Sequence, residues 1–190
     1  MAIPTFATEL EDEAVKKEVM VNGTIVESEI VENEKGVFLK AIYVYTKNLT
    51  ETRSAEQEYE KTVMCTYTPI TRDTEGSQKH NAVYLTIHYV TRSTADDYDN
   101  ETGYRLTRVT TNRTNNNVGF DYLTATCSSL RASAPQQTKN LSSVTDNSAV
   151  LYCSFSKYIS DVQYAVLGAT LDYTWYGSSE QLGCYLFNNM

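Results

Sequence analysis

The stretch VFLKAIYVYT (37–46) decides the fold class, because it is the first long run whose side chains alternate with a period of two. Odd-numbered residues from Val37 to Tyr45 would share one face of an extended strand, and even-numbered residues from Phe38 to Thr46 the other. Both faces are largely apolar, which is typical of a strand with sheet neighbours on both sides and cover on both faces. The stretch therefore predicts a central β-strand.

The same alternation recurs in segments separated by polar turns, at 59–67, 83–89, 104–111, 118–127, 149–159, 164–175 and 181–187. Parallel strands need long crossover connections, and no helix-length crossover separates these segments, so the strands should pair in antiparallel fashion. We predict an all-β fold, a mainly antiparallel two-sheet β-sandwich of Greek-key or jelly-roll type, with a β-barrel as the alternative.

Composition supports this fold and excludes several classes of function. The chain has 190 residues, of which 41% are hydrophobic, and it contains 25 Thr, 15 Ser and 15 Tyr. Threonine and tyrosine fit a pleated, half-buried surface. A net charge of −8 argues against nucleic-acid binding, which needs a basic surface. No run approaches the roughly 18 apolar residues of a membrane-spanning helix, so we expect no membrane span.

Acidity is concentrated near the start of the chain. Residues 1–60 carry 13 acidic and 6 basic side chains, whereas residues 61–190 carry 11 and 10. We therefore divide the chain into an acidic N-terminal segment, 1–35, which would be a leader, hairpin or tether, and a single β-sandwich domain, 36–190.

Two local signals fall within that acidic segment. Thr8 and Glu11 have the spacing of a capping box, which predicts a short N-terminal helix over 8–18. The dipeptide Asn22-Gly23 readily adopts the positive φ angles of a type I′ turn, so it predicts a tight hairpin.

The four cysteines, Cys65, Cys127, Cys153 and Cys184, all fall within predicted strands. The absence of a Cys-x-x-Cys pair and the presence of only two histidines argue against a zinc site. The choice is then between buried free thiols and disulfides. For an exported chain we favour a disulfide between Cys127 and Cys153, which would close the long polar connection at 128–147.

Catalytic motifs are missing from the sequence, and we assign no catalytic residue. A Ser-His-Asp arrangement needs a histidine base, and only His80, in a turn, and His88, in a strand, are present. A secreted hydrolase with a pair of carboxylates needs no motif, and it stays open as an alternative.

The acidic loop DDYDNETG (96–103) is the metal candidate. Carboxylates alternate at Asp97, Asp99 and Glu101, which would let them converge on a hard cation such as calcium. The glycine falls one position late for a calcium-binding helix–loop–helix, and the alternative is a solvated hairpin tip.

Aromatic residues provide the ligand-binding candidate. Tyr173, Trp175 and Tyr176 cluster before a Gly-Ser-Ser turn, and an exposed Trp175 would stack on a sugar ring or anchor a protein partner. The alternative places Trp175 in the core, because it continues the apolar face of the strand at 167–175.

These observations lead to one functional expectation and three alternatives. We expect an exported, extracellular or cell-surface, non-enzymatic binding or adhesion module that recognises a protein or carbohydrate through loops and aromatic side chains. The alternatives are the secreted hydrolase, a structural subunit forming homo-oligomers through strand edges, and a pore-forming protein that inserts an amphipathic hairpin at 104–126.

Overall fold

The computed structural model describes residue 19 and residues 22–50, 55–70, 81–114, 117–131, 136–142 and 146–190. Within these ranges the chain forms ten β-strands: β1 Thr24–Asn33, β2 Gly36–Asn48, β3 Glu56–Pro69, β4 Asn81–Arg92, β5 Gly103–Arg113, β6 Val118–Ser128, β7 Gln137–Ser142, β8 Ser148–Tyr152, β9 Val166–Trp175 and β10 Ser178–Asn188.

The strands form two antiparallel sheets. The six-stranded sheet has the order β1-β2-β3-β4-β5-β8, and the four-stranded sheet has the order β10-β9-β6-β7. Neither sheet closes on itself, which agrees with the predicted two-sheet sandwich and not with the alternative barrel.

Chain order explains how the two sheets are joined. Strands β1 to β5 follow one another as a meander, and β6 and β7 then start the second sheet. The chain returns to the first sheet with β8, which pairs with β5, and then adds β9 beside β6. The sheets are thus interlocked by the crossings before β6, β8 and β9.

The main core lies between the sheets and contains one alternating set of residues from each. In β2 the even-numbered residues point inward, as Phe38 does with 2% of its surface exposed. Lys40 is the charged exception on this face, and its amine bridges Glu180 at 3.0 Å and Glu29 at 3.1 Å. These two ion pairs compensate for the partial loss of water around the Lys40 amine.

A second, smaller core lies on the opposite, outer face of the six-stranded sheet. Met64, Ala82 and Tyr84 are almost fully buried there, and Val19 packs on them from outside the sheet. The amide of Gly23 donates to the carbonyl of Val19 at 2.7 Å, the bond of a helical turn.

This helical turn corrects the predicted hairpin at Asn22-Gly23. The strand that follows, β1, pairs with β2 through a turn at 34–35. It forms an edge of the six-stranded sheet. The Asn-Gly dipeptide ends a turn that packs on the sheet instead of reversing a strand, and this turn buries the Val19 side chain against the sheet.

Two predicted elements differ in detail from the structure. Within the 128–147 connection the chain forms β7, which pairs with β6. Its sequence, QTKNLS, carries one apolar side chain, the half-buried Leu141, and four of its six residues are exposed, so it shows no alternation that would indicate a strand. The strand expected at 149–159 ends at Tyr152, and only Ile159 pairs again, with Tyr104.

Among the residues that the structure describes, no helix has the length and apolar character needed to cross a membrane. The helix predicted at 8–18 and the turn containing His80 both lie outside the described residues.

Candidate functional site

The structure places the predicted aromatic site mostly inside the protein. Trp175 is 3% exposed, with its ring stacked on Tyr67 at 3.9 Å and meeting Phe38 edge-on at 5.0 Å. Tyr173 is 1% exposed, and its hydroxyl shares a 2.8 Å hydrogen bond with that of Tyr67. Trp175 therefore lies in the core, as the alternative prediction stated, and the expectation of an exposed ring is corrected. Apolar neighbours on both sheets bury the ring.

Tyr176 has a different role from its two neighbours. With Gly177 it forms the tight turn between β9 and β10, with φ angles of 47° and 83°. Two positive φ angles are typical of a type I′ hairpin turn. Its amide donates to the carbonyl of Asn117 at 2.9 Å, and its hydroxyl accepts from the amide side chain of the same residue at 3.1 Å. These contacts fix the turn.

The acidic loop is fastened to the segment before β9, and its carboxylates do not converge on one point. Asp97 points inward, and its Oδ1 accepts from both the amide and the hydroxyl of Ser160 at 3.0 Å. Asp99 and Glu101 are exposed. No group of three or more metal-ligating side chains occurs in the described part of the chain, so the predicted calcium site is corrected. The inward turn of Asp97 separates it from the other two carboxylates.

A neighbouring polar network closes the same end of the sandwich. Asp96 pairs with Arg92 at 2.6 Å and accepts from the amide of Tyr158 at 2.8 Å. Two guanidinium groups lie over the Tyr158 ring, with Arg92 4.0 Å and Arg105 4.6 Å from its centroid. These cation–π contacts hold the ring in one position. This arrangement fastens the loop before β5 to the segment before β9.

All four cysteines are buried free thiols, so the predicted Cys127–Cys153 disulfide is corrected. Burial raises the pKa of the Cys127, Cys153 and Cys184 thiols to about 12, and it also raises that of Cys65. Thiols with raised pKa values are weak nucleophiles. The cysteines serve as small apolar side chains between the sheets.

The segment at 104–126 does not form the hairpin expected for a pore-forming protein. Its first half, β5, pairs with β4 and β8 in one sheet, and its second half, β6, pairs with β7 and β9 in the other. The two halves of the predicted hairpin therefore lie in different sheets.

His88 lies on the outer face of the six-stranded sheet. Its Nδ1 is 3.8 Å from a carboxylate oxygen of Glu60. Burial and the positive charge of Arg108 nevertheless lower the pKa of His88 to about 4. The imidazole is thus neutral at neutral pH, and the Glu60 contact is not an ion pair there.

The outer face of the four-stranded sheet is built differently, from hydroxyl and amide side chains. Cross-strand pairing aligns them in rows across three strands, as with Thr124 opposite both Thr170 and Asn140. Glycines interrupt the rows at Gly168 and Gly183. A glycine inside a strand often marks a close approach by another group.

Tyr185 is the group that approaches these glycines. A Cβ atom on Gly168 would lie 2.4 Å from Cδ1 of Tyr185, and one on Gly183 would lie 2.8 Å from Cε2. The Tyr185 ring therefore lies flat along the sheet, and its hydroxyl bonds to that of Thr170. One ring face rests on the glycine backbone, and the other points away from the sheet.

A β-bulge between Tyr185 and Phe187 sets this position. The amine of Lys61 reaches from the six-stranded sheet and donates to the carbonyl of Tyr185. Bulges re-aim side chains locally, and a bond between the sheets holds this one in place.

Beside the ring lies a depression of about 390 Å³, named here the Tyr185 depression. Besides Tyr185, its lining combines hydroxyl, amide, apolar and aromatic side chains from Thr126, Ser128, Ser129, Leu130, Gln136, Tyr164, Val166, Asn188 and Met190.

Tyr164 stands at the edge of this depression with a φ of 62° and 49% of its surface exposed. Its amide donates to the carbonyl of Asn189 at 2.9 Å, and the Asn189 amide donates to the carbonyl of Ala165 at 3.0 Å. A left-handed conformation is costly for a tyrosine, and the surrounding hydrogen bonds maintain it.

The sequence reasoning missed Tyr185 and Tyr164, since both fell inside predicted strands without a distinguishing motif. The available signal was the pair of strand glycines, Gly168 and Gly183, which predict a close contact without naming the group that makes it. The chain matches no family model, no curated protein and no solved structure.

Proposed function

We propose that the protein is a non-enzymatic carbohydrate-binding module that holds a sugar ring in the Tyr185 depression. The single observation that carries this proposal is the Tyr185 ring, which lies flat on two glycines and lines a depression where hydroxyl and amide groups stand among apolar and aromatic side chains. The exported, extracellular location expected from the polar composition remains part of the proposal.

An aromatic ring held flat suits the chemistry of a sugar. The C–H groups on one face of a pyranose are apolar, and they pack on aromatic rings, while its hydroxyls need hydrogen-bond partners at the rim. Tyr185 supplies the ring from β10, and Thr126 and Ser128 supply hydroxyls from β6, on the far side of β9. Gln136 and Asn188 add amide groups that both donate and accept.

A rigid platform also lowers the cost of binding. Tyr185 is held by the Thr170 hydroxyl, by the glycines beneath it and by the Lys61 bond to its carbonyl. Side chains that are ordered before binding lose little entropy when the ligand arrives. The ring therefore needs no rearrangement to meet a sugar.

The test is a glycan array followed by calorimetry on the full chain, with variants of the two tyrosines. We expect Tyr185→Ala to weaken binding of the best array ligand by about tenfold or more, because the stacking surface is lost. Tyr122→Ala is the matched control, since Tyr122 is 37% exposed on the same face of the sheet but outside the depression.

A second variant tests the proposal independently, in case Tyr185→Ala does not fold. Tyr164→Asn removes a ring from the edge of the depression, while asparagine tolerates the left-handed backbone. We expect this variant to keep the wild-type circular dichroism spectrum and to weaken sugar binding. No bound glycan on the array, or binding that neither tyrosine variant changes, would refute the proposal.

A further inference from the structure

A second concave surface lies on the outer face of the six-stranded sheet, away from the Tyr185 depression. It is a groove of about 330 Å³, named here the Arg108 groove, and its lining includes Glu58, His88, Thr107, Arg108 and Tyr152. Nothing in the proposed function uses this surface.

Strand register builds the groove as a row of paired side chains. Glu60 on β3 pairs with His88 on β4, His88 pairs with Arg108 on β5, and Arg108 pairs with Tyr152 on β8. Directly paired residues of an antiparallel sheet share a face and have Cβ atoms about 5 Å apart. Acidic, neutral, basic and aromatic side chains thus follow one another across four strands.

A β-bulge shapes the row at its centre. The register between β4 and β5 shifts at His88 and Tyr89, so that Thr107 is the extra residue next to Arg108. The Thr107 hydroxyl donates to the carbonyl of His88 at 3.0 Å, which fastens the bulge. Bulges bend a strand and redirect the neighbouring side chains, here next to Arg108.

The side chain of Arg108 is exposed, and within the described ranges it makes no hydrogen bond or ion pair. Other arginines of the same sheet are engaged: Arg92 pairs with Asp96 at 2.6 Å, and Arg105 donates to the carbonyl of Phe155 at 3.1 Å. A free guanidinium offers a planar pair of N–H donors that matches a carboxylate.

The neighbours of Arg108 leave its charge available. His88, the side chain beside it, is neutral at neutral pH. Glu60 lies two strands away in the row, which places its backbone about 10 Å from that of Arg108. The Glu60 carboxylate lies 3.8 Å from Nδ1 of His88, the residue that stands between Glu60 and Arg108 in the row.

We propose that the Arg108 groove binds a carboxylate-bearing sugar, with the carboxylate on the Arg108 guanidinium and the sugar ring against Tyr152. Tyr152 is 68% exposed and is paired directly with Arg108, so the two side chains are neighbours on the same face of the sheet. Glu58 at the rim accepts hydrogen bonds from sugar hydroxyls.

The experiment titrates the full chain separately with glucuronic acid, glucose and acetate. Calorimetry measures the affinity, and two-dimensional NMR locates the binding site. We expect glucuronic acid to bind with shifts around 107–109, and Arg108→Gln to weaken this binding by about tenfold or more. Lys35→Gln is the control with an equal change of net charge, in the exposed turn between β1 and β2. It should leave the affinity unchanged.

Tyr152→Ala tests the role of the ring and should also weaken the binding of glucuronic acid. Acetate binding as tightly as glucuronic acid would overturn the sugar part of the proposal, and an affinity that Arg108→Gln leaves unchanged would overturn all of it. Failure here is separate from failure of the Tyr185 depression, because Tyr185→Ala should not alter binding in the Arg108 groove.

Discussion

The two outer faces of this sandwich differ in the side chains that they carry and in how far these are covered. The six-stranded sheet carries an apolar patch of Met64, Ala82 and Tyr84 on its outer face, and the chain covers that patch with its own Val19. The four-stranded sheet carries rows of hydroxyls and lays a single tyrosine ring over two glycines. Part of one face is therefore a second core, and the other face is a polar surface with one aromatic platform.

A face turned away from the main core is therefore not necessarily exposed to solvent. Met64 shows no exposed surface, although it lies on the opposite side of the sheet from the main core. Substitutions on the two faces should therefore differ in cost.

The largest effect is expected from Met64→Ala on the six-stranded face. Removal of a buried methionine side chain costs about 2–5 kcal/mol, because it loses burial and leaves a cavity. Thr124→Ala on the four-stranded face should change the free energy of unfolding by less than about 0.5 kcal/mol. Urea denaturation of both variants measures the difference, and equal effects would show that the two faces are equally exposed.

A pH titration should give the next largest effect. The pKa of His88 is lowered from 6.5 to about 4 in the folded state, by burial and by Arg108, with Glu60 also facing the ring. Its neutral form favours the folded state, so this contribution is complete above pH 6.5. Between pH 6.5 and about 4 the unfolded chain binds a proton at His88 and the folded chain does not. The contribution of His88 to the free energy of unfolding is therefore lost as the pH falls through this range, and the loss is about 2–4 kcal/mol.

His88→Gln should remove this part of the pH dependence and leave the contribution of the carboxylates. The measurement is the free energy of unfolding as a function of pH for both proteins. Identical slopes between pH 6.5 and 4 would mean that His88 is as well solvated in the folded chain as in the unfolded one.

The smallest effect concerns two hydroxyl pairs, one on each face. Thr62 is 3% exposed, and its hydroxyl shares a 2.8 Å bond with that of Thr86. Thr62→Val should cost about 1 kcal/mol, because the half-buried hydroxyl of Thr86 loses its partner. Thr170→Val, which removes the partner of the Tyr185 hydroxyl on the other face, should cost less because water can replace it. Thermal unfolding of both variants ranks them, and the reverse order would contradict the contrast between the faces.

Strand positions were largely predictable from the sequence, because a buried sheet imposes a period of two on its side chains. The predicted strands at 83–89 and 118–127 lie within β4 and β6. β7 escaped the prediction because it is a mostly exposed strand next to a well-covered one, and backbone pairing with β6 needs no apolar side chains.

The candidate sites were much less predictable. Tyr173 and Trp175 had the composition of a binding site, yet they lie in the core, while Tyr185 had no motif and lies on the surface. Alternation separates the two faces of a strand, but it does not tell which face meets the other sheet when both carry aromatic residues. The disulfide prediction failed for a similar reason, since it required the distance between cysteines on different elements. The calcium prediction failed because Asp97 turns inward to Ser160, a residue that is distant in sequence.

The amino-acid sequence by itself determined that this chain forms antiparallel β-strands, because alternation, turn residues and a lack of long crossovers are local properties that each segment carries alone. Tertiary structure decided which side chains meet. The strand order places Arg108 between His88 and Tyr152, and it lays Tyr185 over Gly168. Such neighbours are set by register and by the bulges in β5 and β10, and these depend on the packing of both sheets together.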